Sequence, residues 1–316
     1  MHVLCVLIAF GACVVGKICG MGGGVIIKPV LDAAGMMTVA QINFLSCCTV
    51  LGMTCWSVGK SLACGTSQID LKASTPLAVG AAVGGLVGKR LFAAVTGLFA
   101  DANTGGGVQA AALLAATLAT LLYTLERERF KRPPVRSGGA GFCIGLLLGV
   151  LGTFLGIGGG PFNMAVLYYF FSMTSKTAAQ NSLYIILFSQ AVGLLSMVMS
   201  GSVPEVSRLV LLGMVAGGVA GSEAGGWMNR RLSEQQVTRL FQCAMVLVMG
   251  ICPIIFINFC FEQSRPCGAS PAALARLHRL LYGKEHPRKP QPRLSGMLGI
   301  CGRRPFQQDA PAAGDL

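Results

Sequence analysis

The sequence predicts an all-α, polytopic membrane protein: about eight transmembrane helices in two repeats, each repeat with a glycine-initiated short re-entrant or broken helix. Three observations carry this. The chain of 316 residues is 53% hydrophobic and only 12% charged, where soluble domains carry roughly a quarter charged residues. Its apolar residues fall in runs near the ~20 residues that a spanning helix needs. Those runs are continuous rather than alternating, which argues against a β-barrel.

The runs lie at 2–19, 41–58, 74–96, 107–125, 139–156, 177–200, 206–228 and 238–261. The first, MHVLCVLIAFGACVVGK, has the length of a signal-peptide core, but it lacks a basic leader and a small-residue cleavage site. It is therefore expected to be the first helix. Two further apolar stretches, 24–36 and 160–172, directly follow the glycine triplets of GMGGGVIIKPVLD (Gly20–Asp32) and GIGGGPFNMAVLY (Gly156–Tyr168). At about a dozen residues they are too short to cross ~30 Å as straight helices, and they read as half-helices. A third triplet, Gly105–Gly107 after DANT, has no counterpart and reads as a loop.

The chain repeats itself. Gly20, Gly22, Gly23 and Gly24 match Gly156, Gly158, Gly159 and Gly160. VAQIN (Val39–Asn43) matches AAQNS (Ala178–Ser182), and Gly80, Gly84, Gly85 and Gly88 match Gly213, Gly217, Gly218 and Gly221. Three matches in one order make a two-fold internal repeat. The expected organisation is a first repeat over 1–125, a basic loop over 126–138, a second repeat over 139–261 and a basic, proline-rich tail over 262–316. The loop segment ERERFKRPPVR carries five Lys or Arg, and the tail carries nine Lys or Arg and seven of the fourteen prolines. A short surface helix is expected around ALARLHRLLYG. The positive-inside rule places loop and tail in the cytoplasm, and four spans between them put the N-terminus there too. That leaves GKR (Gly88–Arg90) and NRR (Asn229–Arg231) outside. Should the short segments cross fully, each half has five spans and the repeats are inverted.

Several function classes drop out. The charge of +13 is concentrated in loops and tail, as in membrane proteins, and no basic–aromatic nucleic-acid motif appears. GxGxxG would need glycine at Val25 or Pro161, and SVGKS (Ser57–Ser61) lacks the first P-loop glycine, since position 54 is Thr54. The thirteen cysteines form no CxxC pair, and His2, His278 and His286 lie at the two ends, so neither a metal nor a redox site is expected. The cysteines read as small apolar packers. No cofactor and no catalytic residues are expected. A membrane enzyme or assembly factor would need clustered His, Cys or carboxylates at one depth, and a structural membrane protein without transport activity would leave the repeated triplets unexplained.

Glycine removes the Cβ barrier at a helix start, where unpaired N–H groups and the helix dipole favour anions. Glycine-interrupted segments at matching positions of two halves point to a transporter's substrate site; tight packing between helices is the alternative. The candidate substrate-binding residues are Gly22, Gly23, Gly24, Lys28, Gln41, Asn43, Gly158, Gly159, Gly160, Asn163, Gln180, Asn181 and Ser182. Lys28, a charge inside an apolar segment, either complements an anion or snorkels and pairs with Asp32. Gln41, Asn43, Gln180, Asn181 and Ser182 open helices at matching sites, as hydrogen-bond donors or as caps. Glu223 either carries a coupling proton or pairs with Arg230 or Arg231.

GMGGGVIIKPVL with its echo GIGGGPFNMAVL, each followed by a small-polar segment (TVAQINFLS and KTAAQNSLYIILFS), resembles the sulfite exporter TauE/SafE family, also called the 4-toluene sulfonate uptake permease family. The resemblance covers residues 2–261. It implies a permease for small anions containing sulfur, such as sulfite, sulfonates or sulfoacetate; spacing alone yields only an anion. The repeats differ where Lys28 and Pro29 correspond to Met164 and Ala165, so the expected site is asymmetric. No ATP-binding motif is present, so a proton or sodium gradient, or the membrane potential, is the expected driving force. The expected partners are the anion, the coupling ion and the lipid bilayer.

Overall fold

A computed structural model describes residues 2–35, 37–97, 102–126, 137–154 and 159–263. The tail, most of the basic loop, and Gly156 and Gly158 lie outside the described residues. Ten helices and no strands are found among them: α1 (His2–Cys19), α2 (Gly24–Ala33), α3 (Val39–Ala63), α4 (Leu71–Gly97), α5 (Ala102–Leu125), α6 (Gly138–Phe154), α7 (Gly160–Phe171), α8 (Ser175–Met199), α9 (Arg208–Arg231) and α10 (Glu234–Gln263). The chain is thus a polytopic helical membrane protein. Among the described residues five helices are long and apolar enough to cross a bilayer, namely α1, α3, α4, α8 and α9. The triplet Gly105–Gly107, expected in a loop, lies inside α5. The apolar run that follows it propagates helix upstream, because adding a residue to an existing helix is far easier than nucleating one.

Three of the long helices start on side-chain caps, whereas α2, α7, α8 and α9 have none. Thr38 and Gln41 form a reciprocal capping box at α3. Ser233 and Gln236 do the same at α10, with Ser233 N donating to Gln236 Oε1 and Gln236 N to Ser233 Oγ. The Asp70 carboxylate accepts from Lys72 N and Ala73 N ahead of α4. Each cap satisfies amides that a helix start leaves orphaned.

The helices pair through glycine. β-Carbons added to Gly80, Gly84 and Gly88 of α4 would meet Phe142 O, Leu146 O and Val150 of α6, and Gly145 and Gly149 of α6 answer against Leu77 and Ala81. On the other side of the bundle, Gly217, Gly221 and Gly225 of α9 lie against Val6, Phe10 and Val14 of α1. Residue numbers rise together in both pairs, so each pair runs parallel. Small residues let the backbones approach this closely where lipid supplies no hydrophobic drive. The sequence-matched glycines of α4 and α9 thus make corresponding contacts, each with the first helix of the opposite half.

The two short helices sit inside. Val25, Ile27 and Leu31 of α2 and Met164 and Leu167 of α7 are buried. The long helices turn apolar faces outward, among them Val79, Val83, Leu86 and Val87 on α4 and Leu209 and Leu212 on α9, as surfaces bathed in lipid would. The eight-span reading requires α1 and α3 to run in opposite directions. Both instead run alongside α9 in its own direction: Thr49 of α3 lies at Gly218, and Trp56 and Lys60 at Glu223. The physical reason is α2, which turns back at the glycines and returns the chain before α3 begins.

Candidate functional site

The first glycine motif is a sharp reversal between α1 and α2. Gly20 and Gly22 adopt φ of +68° and +69°, in the left-handed region where a Cβ is strained. The reversal is clamped from α8: Ser182 Oγ donates to Gly20 O at 2.5 Å, and a β-carbon on Gly20 would fall 2.4 Å from Ala179 Cα. It also folds against its own helix, since a β-carbon on Gly23 would lie 2.7 Å from Cys13 Sγ. Cys13 is wholly buried and free, in keeping with a packing role. Behind the triplet, Ser46 Oγ is buried with no hydrogen-bond partner, 3.1 Å from the place a β-carbon on Gly24 would take.

The second motif meets the first. Gly159 caps α7 at φ +81°, and Pro161 occupies the first turn, where its missing N–H removes no hydrogen bond. A β-carbon on Gly160 would stand 2.0 Å from Met21 O. The second triplet is therefore in direct contact with the reversal that leads into the first, at Met21, three residues before α2 begins. Asn163, 2% exposed, places its Oδ1 3.3 Å from the β-carbon position of Gly159.

The remaining sequence candidates occupy different places. Gln41 spends its carboxamide on the α3 cap and on Glu205 O, to which Nε2 donates at 2.8 Å. Asn43 is half-buried nearby. Asn181 is fully engaged: its Oδ1 accepts from Asp70 N and Ser74 Oγ, while its Nδ2 donates to Gln68 O and Thr177 O. Gln180 Oε1 accepts from Gln68 N. The small-polar segments thus do not converge as a pair, although Ser182 does reach the first motif. Lys28 lies within electrostatic range of Cys47 and Lys89. Lys89 Nζ donates to Gly193 O at 2.9 Å, which folds the GKR segment onto α8.

A polar cavity of about 570 Å³ opens where α1, α3 and α9 end and α8 begins. Lys17, Lys60, Lys176, Arg230, Glu223, Ser57, Gln180 and Trp227 are among its lining residues. Lys17 Nζ donates to Ser57 Oγ, and α9 leaves room for the lysine through Gly225 and Gly226. The Glu223 carboxylate takes Trp56 Nε1 on Oε1 and Lys60 Nζ on Oε2, each at 2.5 Å. Its partner is thus Lys60, not Arg230 or Arg231 as expected. The α3–α9 packing brings Lys60 alongside, whereas Arg230 sits two helical turns, about 10 Å, further along α9. Arg231 instead stacks on Trp227, 3.9 Å from the ring centre. Sequence reasoning missed Lys17, Lys60, Lys176 and Trp56 because they come from three helices. Only the nearness of Lys17 to Gly20 hints at it.

Residues 5–251 match the family model described as Sulfite exporter TauE/SafE. A segment of 108 residues is 29% identical to the Probable membrane transporter protein YunE of Bacillus subtilis (strain 168). That match covers 34% of this chain and 38% of the relative. No solved structure matches significantly.

Proposed function

The chain belongs to the sulfite exporter TauE/SafE family of membrane transporters, and from that premise we propose that it is a secondary transporter of small anions, sulfite, sulfonates and sulfoacetate first among them. The observation that carries this reading is the Met21–Gly160 contact, where the glycine reversal that leads into α2 meets the start of α7. The N-terminus of α7 at this junction, with that of α2 three residues beyond Met21, presents partly positive backbone to an anion. Gly22, Gly23, Gly24, Gly159, Gly160 and Asn163 form the core of this site. Lys28 supplies charge from the side of Lys89, while Gln41, Asn43, Gln180, Asn181 and Ser182 hold the surrounding helix ends in place.

The halves then work as inverted repeats with ten crossings. α1, α3 and α9 run one way, and α4, α6 and α8 the other: Ser74, Thr75 and Lys89 pair in rising order with Asn181, Tyr184 and Gly193. Tyr123 near the end of α5 stacks on Tyr169 of α7, and Tyr168 on Phe241 near the start of α10, which fits the same alternation. Each half lends its first helix to the other, so rocking one parallel pair against the other exposes the glycine junction alternately. In this arrangement α5 ends and α6 begins on the cavity's face, which the positive-inside rule applied to the basic sequence between them makes cytoplasmic, and α10 ends on the opposite face.

Proteoliposome flux of sulfite, sulfate, thiosulfate and small sulfonates, with and without a proton or sodium gradient, tests the reading. Flux of at least one anion is expected, and folded protein that moves none overturns it. The variants Gly23→Val and Gly159→Val are expected to abolish flux while protein remains in the membrane. Survival of flux in both assigns the triplets to packing.

A further inference from the structure

We propose that the cavity between the ends of α1, α3 and α9 is a second anion-binding site, a vestibule in which the Glu223 carboxylate holds the place of a substrate oxyanion. Four cationic side chains line it, Lys17, Lys60, Lys176 and Arg230, against Glu223 as the one carboxylate among its lining residues. That excess favours an anion over any neutral or cationic ligand, and the volume of about 570 Å³ is within the usual range of small-ligand sites.

The geometry around Glu223 is that of a bound two-oxygen anion. Each carboxylate oxygen takes one donor, the Trp56 indole N–H and the Lys60 ammonium. Charge-assisted hydrogen bonds of this kind are the strong ones. Glu223 is not locked in: its side chain is 42% exposed and that of Lys60 45%, so the carboxylate is free to swing aside. Lys17 points into the same space and is held by a neutral hydroxyl, Ser57, itself 6% exposed. An oxyanion that displaces Glu223 inherits Trp56 and Lys60 and gains Lys17. Ligand and carboxylate compete for one set of donors, which keeps affinity low enough for release. The ligand class is a small oxyanion, sulfate or sulfite by charge and size; that choice rests on the transport reading, whereas the site itself rests on the cavity.

The chain has two tryptophans, and both adjoin this cavity: Trp227 lines it and Trp56 donates to Glu223. Their fluorescence therefore reports binding here. The purified full chain in detergent is titrated with sodium sulfate and sodium sulfite at constant ionic strength, with gluconate as the balancing anion. A saturable fluorescence change is expected. Glu223→Gln, which removes the competing charge, is expected to tighten binding about tenfold, and Lys60→Gln and Lys17→Gln to weaken it about ten- to a hundredfold, the worth of a hydrogen bond to a charged group. Thermal unfolding of each variant confirms that it is folded, and Trp56→Phe, which keeps Trp227 as reporter, is a second weakening change. A non-saturable response, or unchanged affinity in Glu223→Gln and Lys60→Gln, overturns the proposal. Failure of this site and failure of the transport reading separate cleanly. Flux without saturable binding removes the vestibule and leaves the transporter; binding tightened by Glu223→Gln without flux does the reverse.

Discussion

At Gly23 two explanations for a glycine are superimposed, and one pair of substitutions separates them. The position opens α2, where bare backbone suits an anion, and it also makes room for Cys13 Sγ at 2.7 Å. Gly23→Ala alone is expected to lower stability by about 1–3 kcal/mol through overpacking, read as a lower unfolding temperature. Adding Cys13→Ala relieves the clash. If the double variant regains both stability and flux, Gly23 is a packing residue; stability without flux makes it part of the site. Lys28 is the other decisive residue. It does not repeat in the second half, where Met164 stands, and it lies near a second cation, Lys89. Lys28→Gln is expected to cut anion flux at least about tenfold, as loss of one charged partner does, with little change in unfolding temperature. Unchanged flux assigns the lysine to the membrane interface.

The α1–α9 and α4–α6 pairs owe their closeness to glycines that admit no side chain. A β-carbon on Gly84 would fall 2.1 Å from Leu146 O and one on Gly221 2.4 Å from Phe10 O, while Gly11 of α1 has nothing within 4 Å. Backbone cannot yield as a flexible side chain does. Gly84→Val and Gly221→Val are therefore expected to lower the unfolding temperature in detergent by several degrees, and Gly11→Val to leave it within about a degree. Equal effects at all three would dissolve the distinction between pairing glycines and incidental ones. The short helices follow a different rule. α2 and α7 are buried among longer neighbours, so their unpaired first-turn amides lie within protein instead of lipid, the condition under which a membrane tolerates a broken helix.

For the molecule as a whole, the proposed ten-crossing arrangement implies that the ends of α5 and α10, which lead into the basic loop and the tail, face opposite sides of the membrane. Epitope tags inserted in the loop and added after Leu316 are expected to be accessible from opposite sides of intact cells or oriented vesicles; access from one side would restore the eight-span arrangement. Helix positions were legible in the sequence to within a few residues, because the length of an apolar run is a local property. The short helices after the two glycine triplets were legible too, since each apolar stretch begins directly at its glycines, whereas Gly105–Gly107, read as a loop, lies within α5. Direction was not legible. Whether α2 reverses the chain depends on Gly20 and Gly22 turning while α8 clamps them through Ser182 and Ala179, more than 150 residues away. The sequence by itself determined a helical membrane protein with two glycine-started half-helices, because solvent preference and backbone strain belong to single residues and their near neighbours. Only the tertiary structure decided that the second triplet meets the first reversal at Met21, that Lys60 and not Arg230 holds Glu223, and that four cations from different helices line one cavity, because those outcomes depend on which helices pack together.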